Sequence, residues 1–297
     1  MKKKTSNLIF ILIFLIGLSL LLYPFISNEW NTYRQSRLIS TYDEAVAEQE
    51  DAGRIDYSAE WDKAHAYNED LLPSILPDSF AIAAASEEPD EVYMSCLNLT
   101  GDGTMGYVEI PKIDIKIPIF HTVTEEILQK AAGHLEGSSL PAGGPSTHAV
   151  ISAHRGLPSA ALFTDLDKLK EGDHFLIKVL DEILCYEVDL ISTVEPTQTD
   201  ALTVIEGEDL VTLLTCTPYG VNTHRLLVRG HRVPYEEEVV YEEELSFTEQ
   251  SIHTNYLLWV LVGLAVTGAF IGVLLVRERK LSRTLIKNKM KEEMHKK

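Results

Sequence analysis

The chain has 297 residues, with 26 Lys and Arg against 45 Asp and Glu, a net charge of −19 and 45 % apolar residues. That length holds one large or two modest domains, and so acidic a surface argues against nucleic acid and for a cationic or neutral partner. Three cysteines (Cys96, Cys185 and Cys216) are too few, and odd in number, for a disulfide-stapled fold. One pair plus a free thiol fits the count, with Cys216 the best candidate to be free.

Residues 8–26 form a run of 19 without a charge, and residues 256–276 a run of 21. At ~1.5 Å per residue each is long enough to cross the ~30 Å hydrocarbon core of a bilayer. Lys2, Lys3 and Lys4 would also suit a signal peptide. The first run is longer than such peptides use, however, and no A-x-A-like site follows, which favours an uncleaved anchor. Residues 1–27 and 277–297 together carry 12 basic residues and three acids, net +9, which leaves −28 for the segment between the spans. Basic flanks on both spans predict cytoplasmic termini and an acidic domain outside the membrane. Gly268 and Gly272 have the GxxxG spacing of helix pairs, compatible with weak self-association through the second span.

After the first span, helical spacing of Trp30, Tyr33, Leu38, Tyr42 and Val46, then of Trp61, Ala64, Tyr67 and Leu71, predicts two helices, the second capped by Ser58. Pro73 and Pro77 end this region, and residues 73–90 show no periodicity. Residues 98–109 place Asp102, Gly103 and Glu109 at the offsets of a calcium loop. Asn98 and Thr100 occupy its first ligand positions and no helices flank it, so a tight turn before a strand is the better reading. From there the texture is β, with strands predicted over 107–110, 116–120, 148–153, 175–179, 184–191, 210–215 and 224–233. Thr122-x-x-Glu125 has capping-box spacing for a short helix closed by Gly133, and a brief helix is predicted over 160–168. Seven or eight short strands with turn punctuation predict a mainly β domain, a closed or nearly closed barrel. The glutamate-rich residues 235–250 read as a solvated linker.

Cys216 falls at the end of the 210–215 strand, at the rim of a sheet. Pro218 and Gly220 force a turn there, and Arg225 enters nine residues later on the next strand. Cys185, inside a strand-like run, reads as a small buried residue. A thiol is only a few per cent ionised at neutral pH, so a nucleophilic cysteine needs a helper, usually histidine. Of the ten histidines, His253 is beside the membrane, His295 is in the basic tail and His65 is in the helical extension. Strand alternation points His224 away from Arg225. His154 is better placed, because it ends a strand and precedes a loop, as Cys216 does.

Several ordered motifs carry a resemblance. Ala153-His154-Arg155-Gly156, Leu213-Leu214-Thr215-Cys216-Thr217-Pro218-Tyr219-Gly220, His224-Arg225-Leu226-Leu227-Val228-Arg229-Gly230 and Gly133-His134-Leu135-Glu136-Gly137-Ser138-Ser139-Leu140-Pro141 together resemble the sortase family. The narrower likeness is to the class C, pilus-assembling sortases of Gram-positive bacteria, and it covers about residues 75–235. The resemblance implies a closed sortase-type β-barrel of about eight strands and a cysteine transpeptidase that needs no cofactor and no metal. Cys216 would attack the Thr–Gly bond of an LPXTG-like sorting signal. His154 would shuttle the proton, Arg225 would hold the oxyanion, and Thr215 would support the site. The acyl group would pass to an acceptor lysine of a pilin subunit. The class also implies a lid with an Asp-Pro-aromatic motif, whose nearest match is Asp78-Ser79-Phe80, with Asp78 opposite Arg225 and Phe80 over Cys216. Ser79 departs from the proline and leaves that hinge less rigid.

The resulting division is 1–27, cytoplasmic N-terminus and first span; 28–72, helical extension; 73–98, lid; 99–235, catalytic barrel; 236–255, acidic linker; 256–276, second span; and 277–297, basic cytoplasmic tail. Other readings stay open: a sortase of another class that anchors proteins to the cell wall, a Cys/His peptidase resolved by water, or a membrane-tethered adhesion or sensing module in which Cys216 is a core residue.

Overall fold

The computed structural model describes residues 2–51, 57–71 and 90–237, with scattered positions between 263 and 284. The chain divides into two compact units, Met1–Phe247 and Thr248–Lys297. In the second unit every described position is helical. Most of the expected second span lies outside the described residues.

The first unit opens with helix α1 (Lys2–Asp51), 50 residues long, or roughly 75 Å at 1.5 Å per residue. The expected boundary at residue 27 is no break: apolar run and extension are one helix, with Pro24 inside it. Among the described residues, Leu12–Glu48 is the helical stretch apolar enough to cross a membrane, with mean hydropathy 1.7. Its later turns bury Tyr42 and Val46 as expected, with Ile39 buried where Leu38 was expected, whereas Trp30 and Tyr33 of the expected stripe are exposed. Tyr42 is the anchor: its hydroxyl donates to the Met105 carbonyl at 3.0 Å and accepts from the Leu180 N–H at 2.7 Å.

Helix α2 (Ser58–Asp70) follows, with Tyr57 rather than Ser58 at its N-cap. Tyr57 has a helical backbone and no side-chain cap. Its hydroxyl is committed to the Val46 carbonyl at 2.7 Å, which folds α2 back on α1. Asn68 brackets Leu140, accepting from its N–H at 2.7 Å and donating to its carbonyl at 3.2 Å. Helix α3 (Glu91–Ser95) is capped by Asp90, whose carboxylate accepts from Val92 and Tyr93. Residues 98–104 form the expected turn, closed by Gly103 N–H to Asn98 at 2.9 Å and Thr104 N–H to Asp102 at 3.0 Å.

Eight strands then close a barrel in the order β1-β2-β3-β4-β7-β8-β6-β5. They are β1 (Thr104–Ile110), β2 (Ile115–His121), β3 (Ala132–His134), β4 (Thr147–Ser152), β5 (His174–Val179), β6 (Glu182–Val194), β7 (Asp209–Thr217) and β8 (His224–Val233). Two pairings, β2 with β3 and β4 with β7, are parallel; the other six are antiparallel. Ile151, Leu213, Leu226 and Val228 belong to the main core inside the barrel. On the opposite face of the same strands, Val150, Leu214 and Leu227 form a second apolar cluster with Val123, Leu128, Leu135 and Leu202. Alternation thus gives β4, β7 and β8 two apolar faces.

Five expectations are corrected here. The strand β3 was not expected, because three residues including Gly133 carry no alternation. The helix α4 (Glu125–Leu128) starts at an N-cap of Thr124, not Thr122. An N-cap needs an extended backbone, whereas Thr122 is left-handed at φ 65° and gives its N–H to the Tyr93 hydroxyl at 2.9 Å. Gly133 does not close α4. It lies in β3 so close to Thr122 that a Cβ would stand 2.2 Å from the Thr122 carbonyl oxygen. The helix expected over 160–168 shrinks to a 3-10 turn, Leu166–Lys168. All three cysteines are buried and no disulfide joins any two of them, so the expected pair does not form. Cys185 sits inside β6 as a small core residue, 2 % exposed.

Candidate active site

The pairing of β7 with β8 sets Cys216 directly opposite Arg225 and Thr217 opposite His224. The turn between them is tight: the Pro218 carbonyl accepts from Val221 and from Asn222, each at 3.0 Å. Cys216 is 6 % and Arg225 8 % exposed. Burying a guanidinium demands partners, and Arg225 Nη1 donates to the carbonyls of His224 at 3.1 Å and Asn222 at 3.3 Å. One carbonyl belongs to the turn and the other to the first residue of β8, so the turn and the strand start together aim the cation.

His154 arrives from the other side. β4 runs parallel to β7 with Ser152 beside Leu214, and the ladder continues with Ala153 N–H to the Leu214 carbonyl at 3.1 Å. Two residues further along each chain, His154 and Cys216 stand level. With a period of two, they share the outer face of the sheet with Leu214 and with Arg225 across the next pairing. Thr215 points the other way, fully buried, and its hydroxyl donates to the Ala153 carbonyl at 2.7 Å. That bond ties the residue before the cysteine to the residue before the histidine. Cys216 and Arg225 thus share one face at the end of β7 and β8, and His154 follows two residues past the end of β4, beside the end of β7. Asp78 and Phe80 lie outside the described residues.

Below this end the outer face is apolar, paved by Leu214, Leu227, Val150 and Leu202. Beyond Leu202 and His148 it leads to a cleft of about 870 Å³ whose walls include His65 and Asn68 of α2.

Two residues at the site were not singled out for it by sequence reasoning. Arg155 knits the loop after β4 to the end of β7: Nε donates to the Thr164 carbonyl at 3.1 Å, Nη1 to the Thr217 hydroxyl at 3.3 Å, and Nη2 pairs with Asp167. Its place beside His154 in the quoted motif was the available signal. Glu125 was noted only as a capping residue. It brings its Oε2 to 3.6 Å from Nε2 of His154. Burial pushes the His154 imidazole below its ordinary value, and Glu125 works against that shift.

Comparisons with known proteins agree with this geometry. Residues 108–233 match the family model for a sortase domain. Sortase A of Bacillus anthracis is 26 % identical over 156 residues, 52 % of this chain and 71 % of that protein. Sortase A of Listeria monocytogenes is 24 % identical over 232 residues, 77 % of this chain and 91 % of that protein. Solved class C structures are nearer in sequence. Streptococcus pneumoniae sortase C is 48 % identical with a TM-score of 0.60, covering 67 % of this chain and 97 % of the other. Streptococcus agalactiae sortase C1 is 46 % identical, also with a TM-score of 0.60, covering 67 % and 100 %.

Proposed function

The chain belongs to the sortase family, as a class C cysteine transpeptidase, and from that premise we propose that it joins pilin subunits through an LPXTG-like sorting signal. Cys216 sulfur attacks the carbonyl carbon between Thr and Gly of the signal. The negative charge that develops on the carbonyl oxygen is held by the Arg225 guanidinium, preorganised by its two backbone carbonyls. His154, as imidazolium, gives its proton to the departing glycine nitrogen, the C–N bond breaks and a thioester remains. A lysine amine of another subunit then attacks the thioester and loses a proton to His154. The C–S bond breaks, leaving an isopeptide bond and the free cysteine. Thr215 supports the site by fixing the register of the two strand ends.

The observation that carries this reading is the shared outer face at one end of β4, β7 and β8, where the register sets a buried cation opposite a buried thiol with the histidine level beside them. The class assignment is supported by 43–48 % identity to class C structures, against 24–32 % to curated sortases A and D. The work on the pneumococcal enzyme concerns its pilin substrate specificity. We extend the reading to the lid, with Asp78 and Phe80 closing the site until displaced, and to a domain held outside the membrane by two spans with both termini in the cytoplasm.

The test is incubation of the detergent-solubilised chain with purified pilins bearing such signals. An SDS-resistant ladder that Cys216→Ala abolishes is the expected result. Trimmed monomers alone would mean that water resolves the thioester and would overturn the polymerase assignment.

A further inference from the structure

We propose that Glu125 is a positioning residue for His154: its carboxylate fixes the imidazole ring and favours the protonated ring that the leaving amine requires. This rests on His154 as the proton carrier of the reading above.

The geometry is built, not incidental. Glu125 is the first residue of α4, and its two oxygens are divided between two tasks. Oε1 accepts from the Gln129 side-chain amide at 2.6 Å, one turn along the helix. Oε2 then faces His154 Nε2 at 3.6 Å, across a gap in which the histidine side chain is 18 % and the carboxylate 58 % exposed. The helix that carries it is seated at both ends. Val123 and Leu128 are buried in the outer apolar cluster. At its far end, the Lys130 carbonyl accepts from Gln35 at 2.8 Å and from Asn31 at 3.4 Å, both on α1. A carboxylate so anchored can orient a ring, as a freely rotating one cannot.

The electrostatic need is specific. Cys216 on β7 is the neighbour of His154, Arg225 lies one strand further off on β8, and Arg155 follows the histidine in the chain with its own charge met by Asp167. Burial disfavours an imidazolium here. Glu125, from α4, is the opposite charge on this side of the ring, and its attraction offsets part of the burial. Without it the ring would shed its proton at lower pH. Fewer molecules would then hold the proton that must pass to the glycine nitrogen as the C–N bond breaks. Glu126, its neighbour, turns to Lys130 instead, at 3.0 Å, and provides an internal control.

The experiment compares the unaltered full chain with Glu125→Gln, Glu125→Asp and Glu126→Gln in detergent. Two quantities are read against pH: the His154 titration by NMR of labelled histidine, assigned with His154→Gln, and kcat/KM on a sorting-signal peptide. Glu125→Gln should lower the His154 midpoint by about half a pH unit, the scale of a half-exposed ion pair, and reduce kcat/KM on the alkaline limb about threefold. Glu125→Asp should recover part of both, and Glu126→Gln should change neither. A Glu125→Gln profile that superimposes on the unaltered one, or an equal shift in Glu126→Gln, would overturn the proposal. A midpoint that moves while no variant, nor the unaltered chain, processes the peptide would uphold the Glu125–His154 link and sink the transpeptidase reading instead.

Discussion

Tyr93 is fully buried at the point where α3, β2 and β3 meet, and removing its hydroxyl alone, in Tyr93→Phe, has a cost that can be worked out. His134 Nε2 lies 2.8 Å from the Ser139 carbonyl, which can only accept, so Nε2 carries the proton and Nδ1 is an acceptor. The Tyr93 hydroxyl therefore donates to Nδ1 at 3.0 Å, with the His134 carbonyl at 3.2 Å, and accepts from Thr122 N–H at 2.9 Å. The histidine cannot compensate by moving its proton, since Nε2 would then turn a lone pair on the Ser139 carbonyl. Phenylalanine would leave one buried acceptor and one partly buried donor unpaired, at about 1–3 kcal/mol each, or about 3 kcal/mol together. For a domain of this size that corresponds to a fall in Tm of roughly 6–12 °C. Differential scanning fluorimetry of the detergent-solubilised chain measures it. A fall below about 2 °C would refute the bookkeeping and imply that water or a tautomer change satisfies the site.

The same His134 makes stability depend on pH. Burial pushes its imidazole down to about 4 from the ordinary 6.5, so on acidification the unfolded chain takes up a proton before the folded one does. Its contribution is complete above pH 6.5 and is lost progressively as pH falls towards 4, with about 2 kcal/mol gone at pH 5; Tm should drop between pH 7 and 5, and His134→Gln should flatten that slope. His121 shifts in the same direction through burial and steepens the fall. For the lid, Asp78→Ala and Phe80→Ala should each speed alkylation of Cys216 by a thiol reagent, and unchanged rates in both would remove the lid from the account.

Strands such as β7 and β8 were legible because alternation and turn residues are local properties, and their nine-residue offset already set Cys216 against Arg225. The level placing of His154 was not, because it depends on a parallel pairing between segments about sixty residues apart. Thr122 shows why spacing can mislead. Its capping-box offset is correct, but its backbone is set by a hydroxyl on Tyr93, 29 residues away. Glu125 was in view as a capping residue for the same reason, and only the seating of α4 against His154 gives it a different task. Three residues of β3 pair in the sheet without any pattern that could have announced them.

The unbroken α1 acts as a mast. Asn28, two residues past the charge-free run, accepts from the Ala161 N–H at 2.7 Å, on the loop that follows His154. Two turns further on, Gln35 grips the end of α4. If that run is embedded in lipid, as the anchor reading proposes, these two hydrogen bonds would tie the loop after His154 and the end of α4 to a fixed level of the helix rather than to a slack tether. On that reading substrates would have to be delivered at that level, and the depth of the anchor would become a variable of the chemistry, adjustable by lengthening or shortening a helix far from the cysteine.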